Sequence, residues 1–86
     1  MRIHKIITRI FNGHVRILLP ENREIFKVEK NEDKLTWWVL YEDGEKKIEQ
    51  EYLILKEDEN IPYGFYDVGL VAEVASGEFL LWVEED

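Results

Sequence analysis

Nucleophilic chemistry has almost no material in this chain of 86 residues, which contains no cysteine and a single serine, Ser76. Ser76 precedes Gly77, a turn signal in which the hydroxyl serves the backbone and not a reaction. His4 and His14 are the two imidazoles. Without cysteine they cannot complete the common zinc sets unless carboxylates join them, and no His-x-x-x-His spacing exists. Each is therefore read as a histidine on a strand face. Aspartate and glutamate number 19, so some pair falls at general acid/base separation in almost any fold and the pattern has no specificity. The densest acidic run, Glu57-Asp58-Glu59-Asn60, lacks the alternation and the glycine of a calcium loop. Gly64 and Gly69 are not followed by Gly-Lys-Ser/Thr, so no phosphate cradle is formed. The expectation is a protein without catalytic residues, metal or cofactor that acts by binding.

Charge and aromatic residues carry the binding chemistry. Eleven basic residues against 19 acidic ones give a net charge of −8, and the two signs are separated along the chain. Arg2, Lys5, Arg9 and Arg16 fall in the first 20 residues with no acid among them, whereas residues 57–86 hold acids and neither lysine nor arginine. Either the first segment lies beside the last strands and the charges neutralise each other across a sheet, or the C-terminal third presents an acidic face to a basic partner. That face would consist of Glu57, Asp58, Glu59, Glu73, Glu78, Glu84 and Glu85, and its main effects would be on encounter rate and partner choice. The aromatic anchor beside it would be Trp37, Tyr63 or Phe65. Trp37 and Trp38 are adjacent on one strand and must point to opposite faces. One face carries Leu35, Trp37, Val39 and Tyr41, the other Thr36, Trp38, Leu40 and Glu42. Either the strand is central and covered on both sides, or one tryptophan is left for contact, as an apolar patch on a small protein is. The arginines and lysine at Arg2, Lys5, Arg9, Arg16 and Arg23 offer an alternative, in which they meet phosphate while aromatic rings stack on a base. A direct nucleic-acid binder is not expected, because nothing in so acidic a chain clusters the lysines and arginines that replace phosphate counterions.

These side chains need strands to position them. Valine, isoleucine and aromatic residues dominate the runs between turns, as half-buried strands prefer. Asp43-Gly44 separates Lys34–Tyr41 from Lys46–Leu55 and predicts a hairpin; Ser76-Gly77 predicts another between Tyr66–Val74 and Glu78–Glu84. Asn31-Glu32-Asp33 and Pro20-Glu21-Asn22 are further turns. Ile3, Ile6, Ile7, Ile10 and Phe11 fit one face of a helix. So many isoleucines favour a strand instead, with His14–Leu19 as its partner across Asn12-Gly13, and a short N-terminal helix is the alternative. The fold class is all-β, a small antiparallel barrel or sandwich of six to seven strands in one domain, residues 1–86. Its apolar runs are too short for a membrane span, and its first residues do not form a secretory signal, so a cytoplasmic location is expected.

The order of features resembles a family of small uncharacterised phage proteins, a domain of unknown function. The matching elements are Leu19-Pro20-Glu21 before Ile25–Val28, the aromatic strand Lys34–Leu40 with Trp38, and Leu53–Leu55 leading to Ile61-Pro62. Tyr66–Gly69 and a closing strand with Trp82 complete the match. Members of the family often carry histidine directly after the last tryptophan, where this chain has Val83. The resemblance implies a phage accessory protein acting inside an infected cell, with no established activity to carry over. Three functions follow as expectations: an acidic inhibitor that binds a basic surface of a host defence or nucleic-acid-handling protein, a binder that sequesters a nucleotide-like signal, or a structural or assembly protein of the virion. A homo-oligomer is compatible with each.

Overall fold

Runs of isoleucine, valine, leucine and aromatic residues, broken by short polar turns, form seven strands: β1 (Arg2–Arg9), β2 (His14–Pro20), β3 (Glu24–Asn31), β4 (Lys34–Tyr41), β5 (Lys47–Lys56), β6 (Phe65–Ala75) and β7 (Glu78–Glu85). The structure is a computed structural model that describes residues 1–85, apart from the side chains of residues 66–68 and 85. The described residues contain no helix. The isoleucine-rich start is strand, paired along its whole length with β4, because β-branched side chains pack well on a pleated surface.

The strands make two antiparallel sheets, ordered β1-β4-β3 and β2-β5-β7-β6. The closed barrel is not formed; two stacked sheets are consistent with a sandwich, and the shortest dimension of 19 Å suits layers about 10 Å apart with side chains outside. Edge strands β3 and β6 touch on one side. On the other, β1 and β2 leave the Asn12-Gly13 turn into different sheets.

Two expected hairpins are thereby corrected. Asn12-Gly13 does form a tight turn, with φ of 50° and 78° and a Phe11–His14 bridge, but β1 and β2 then part. Likewise Asp43-Gly44 joins β4 to β5 across the two sheets. For Asp43-Gly44 the reason is that β4 is bonded to β1 on one edge and β3 on the other, so no edge remains for β5; at Asn12-Gly13, β2 pairs with β5 and not with β1. The β3–β4 turn at Asn31–Asp33 and the β6–β7 turn at Ser76-Gly77 are true hairpins.

The core lies between the sheets. Leu35, Trp37, Val39 and Tyr41 of β4 face Val15, Ile17 and Leu19 of β2, Tyr52 of β5 and Leu80 of β7. Trp37 and Tyr52 bring their rings to 5.0 Å, within the range where tilted aromatic pairs add attraction beyond area burial. The Trp37 Nε1–H donates to Thr8 Oγ1 at 2.8 Å, which satisfies the indole that burial takes from water. Leu53, Leu55 and Val83 form a second, smaller cluster with Phe65 and Leu81 against it. Its residues alternate with the main-core residues along β5 and β7, which places it on the opposite face of the four-stranded sheet.

Of the two arrangements the charge pattern allowed, the paired one is not formed: neither strand of the basic first segment is paired with the acidic last strands, since β1 lies in the other sheet and β5 separates β2 from β7. Basic residues of the first segment meet the middle of the chain instead, as in Arg2–Asp43 at 2.9 Å, Arg9–Asp33 at 3.8 Å and Arg16–Glu49 at 3.7 Å. The fold pairs β1 with β4 and β2 with β5, and chain-order asymmetry in charge is divided between two layers.

Candidate functional site

Among the residues singled out by type, two arginines and one aromatic ring converge. Arg9 ends β1, Arg16 sits on the exposed face of β2, and Phe65 starts β6; together with Phe11, Asn12, His14 and Glu51 they line one open cleft of about 670 Å³. The Asn12-Gly13 turn positions this group. Its left-handed backbone reverses the chain within two residues, which puts Phe11 and His14 on either side of the turn. Gly13 O accepts a hydrogen bond from Ile54 N at 2.8 Å, fixing the turn against β5.

Phe11 is 75% exposed, an unusual state for a phenylalanine and a ready stacking surface. His14 Nδ1 lies 2.8 Å from Glu51 Oε1. With Nδ1–H donating to that carboxylate, the ring is held in place and Nε2 is left for an outside partner. The imidazole also sits 5.7 Å from the Phe65 ring. Among the described residues Arg9 and Arg16 have only the long, solvent-exposed ion pairs given above, and such pairs contribute about 0–1 kcal/mol. An anion can displace those carboxylates at little cost.

The remaining basic candidates lie elsewhere. Arg2 is held by Asp43 beyond the far end of β1. Lys5 lies over the outer face of the three-stranded sheet, 5.8 Å from the Trp38 ring centre, opposite Lys27 at 5.0 Å. Arg23 is a structural residue: its guanidinium donates to Tyr52 Oη at 3.0 Å and to the carbonyls of Pro20 and Glu21.

The acidic set is dispersed. Glu57, Asp58 and Glu59 are exposed in the β5–β6 connection, and Glu73 and Glu84 are exposed on β6 and β7. Glu78 is half-buried and bonded to Lys30 Nζ at 2.7 Å, a bridge between the two sheets and not a free surface charge. The Glu85 side chain is outside the described residues. Trp37 is 0% exposed, which corrects its reading as a surface anchor: the core claims the face of β4 that carries Leu35, Val39 and Tyr41. Trp38 occupies the uncovered side. Tyr63 is fully exposed, and Phe65 belongs both to the cleft and to the small outer cluster. His4 stacks on Tyr41 at 3.8 Å with Nε2 3.3 Å from Asp43.

A second open cleft of about 690 Å³ lies where β5 and β7 diverge, lined by Glu21, Glu49, Glu51 and Glu84 with Arg23 and Trp82 among others. Its charge suits cations, yet among the described residues no three histidine or acidic side chains converge to hold a metal ion. Phe11, His14 and Glu51 had no motif to mark them as one site. The available signal was Phe11 itself, an aromatic residue next to an Asn-Gly turn, where a side chain has little protein to bury against. In comparisons with known proteins, the chain matches no family model, no curated protein and no solved structure.

Proposed function

We propose that this chain is a non-catalytic binding protein whose ligand is a phosphate-bearing molecule with a planar aromatic group, of nucleotide type. The observation that carries this reading is the convergence of Arg9, Arg16, His14 and the exposed Phe11 ring on one cleft. Phe11 and Phe65 stack the planar group, the two guanidiniums take phosphate oxygens, and His14, braced by Glu51, supplies a further polar contact. The resemblance to small phage proteins supports a setting inside an infected cell, where binding would sequester a nucleotide-like signal of host defence. The test is thermal unfolding against a panel of linear and cyclic nucleotides. A ligand at about 100 times its Kd stabilises by about 2.7 kcal/mol, a Tm rise of about 10–20 °C for a domain of this size. Arg16→Glu and Phe11→Ala abolish the rise while leaving the unliganded fold intact; a panel without any shift overturns the reading.

The acidic-inhibitor reading has its own observation. Glu57, Asp58 and Glu59 are exposed and make no ion pair among the described residues, and the fully exposed Tyr63 follows them. A basic host protein is the partner this segment fits. Lysine substitution of the three acids then abolishes pull-down of that protein, and insensitivity of the complex to salt counts against it.

A further inference from the structure

We infer that the free edge of β1 is a docking site for an extended segment of another protein, one in which apolar and acidic residues alternate along the solvent-facing side. β1 is bonded to β4 through eight residues in unbroken register, and the Ile10 N–H to Asp33 carbonyl bond continues that pairing past the strand's end. Among the described residues no strand pairs along its other edge, the Phe11–His14 bridge lying beyond it. A strand in this state presents alternate N–H and C=O groups to whatever can pair with them.

β1 differs in this from the other edges. β3 is bulged between Ile25 and Lys27 and lies against β6 more extensively than β1 lies against β2. β6 shifts register against β7 at three points. β2 ends in Pro20, which has no N–H to donate. β1 has no bulge, proline or glycine, and two of its isoleucines, Ile3 and Ile7, are 57% and 62% exposed.

The cross-strand register defines the partner. On the outer face, Ile3 lies beside Leu40, Lys5 beside Trp38, Ile7 beside Thr36 and Arg9 beside Lys34. The edge column thus reads apolar, basic, apolar, basic. A strand added to it buries apolar side chains against Ile3 and Ile7 and sets acids opposite Lys5 and Arg9. Self-pairing is disfavoured in registers that oppose Lys5 to its own copy or to Arg9. The net charge of −8 does not prevent an acidic segment from docking here, because charges more than about 8–10 Å away are screened at physiological salt.

The experiment uses the full chain and a ten-residue peptide of Val-Thr-Glu-Thr repeats, read by amide exchange and chemical shift. Alternate β1 amides, those directed away from β4, become protected on addition of this peptide. Lys5→Glu lowers its affinity about three- to tenfold, and a peptide with lysine in place of glutamate fails to bind the parent chain. Equal binding of both peptides, protection confined to another edge, or no protection of β1 overturns the inference. So does β1 protection that rises with protein concentration in the absence of peptide, which would make a second copy the occupant.

Discussion

Adjacent tryptophans with opposite fates show how much depends on a single peptide unit. Trp37 is enclosed by both sheets and hydrogen-bonded to Thr8, whereas Trp38 lies between two lysines on the outer face. Replacing Trp37 with alanine removes its contacts and leaves a cavity, at about 3–5 kcal/mol. The whole stability of a domain this size is about 4–13 kcal/mol, so Trp37→Ala is expected to be marginal or unfolded at 37 °C. Trp38→Ala gives up only a half-buried ring, about 1–1.5 kcal/mol, and stays folded. Urea denaturation of the two variants checks the order. The period-two pattern of Leu35, Trp37, Val39 and Tyr41 was legible beforehand as one face of a strand. Which of the two faces would be covered was not, since Trp38 and Leu40 make the other nearly as apolar.

Turns show what local chemistry can settle at the scale of elements. Asn12-Gly13, Asp43-Gly44 and Ser76-Gly77 all reverse the chain, as their dipeptides predict. Only Ser76-Gly77 joins strands that go on to pair. A dipeptide determines where the chain turns, but hydrogen-bond partners depend on which edges are still open, and β4 has none left for β5. Gly13 carries a further load, because its φ of +78° is strained for any L side chain and a Cβ there would meet Ile54 O at 3.4 Å. Gly13→Ala is expected to destabilise by about 1–2 kcal/mol, lowering Tm by about 4–15 °C. It should also weaken nucleotide binding, since the same turn places Phe11 and His14. A Gly13→Ala protein with unchanged Tm would show that the turn relaxes freely.

Charge is organised at the scale of the whole molecule. The basic first segment is split between two sheets, where Arg2, Arg9 and Arg16 meet acids from the middle of the chain. Most of these contacts are exposed and add little, so the net −8 leaves the folded state under self-repulsion. Raising ionic strength from about 0.01 M to about 0.15 M shortens the Debye length from about 30 Å to about 8 Å, and Tm is expected to rise. A fall in Tm over that range would mean that the local ion pairs outweigh the net repulsion.

Residue types and short-range pattern were enough to establish an all-β chain, its turn positions, the two alternating faces of β4 and the lack of cysteine and near lack of serine, because strand propensity, side-chain alternation and turn chemistry act within a few residues. The division into two sheets, the burial of Trp37, the capture of Glu78 by Lys30, the cleft that gathers Arg9, Phe11, His14, Arg16 and Phe65, and the open edge of β1 were decided by tertiary structure alone. Each depends on which distant strands compete for the same edge or face, and that competition is resolved only when the whole chain packs.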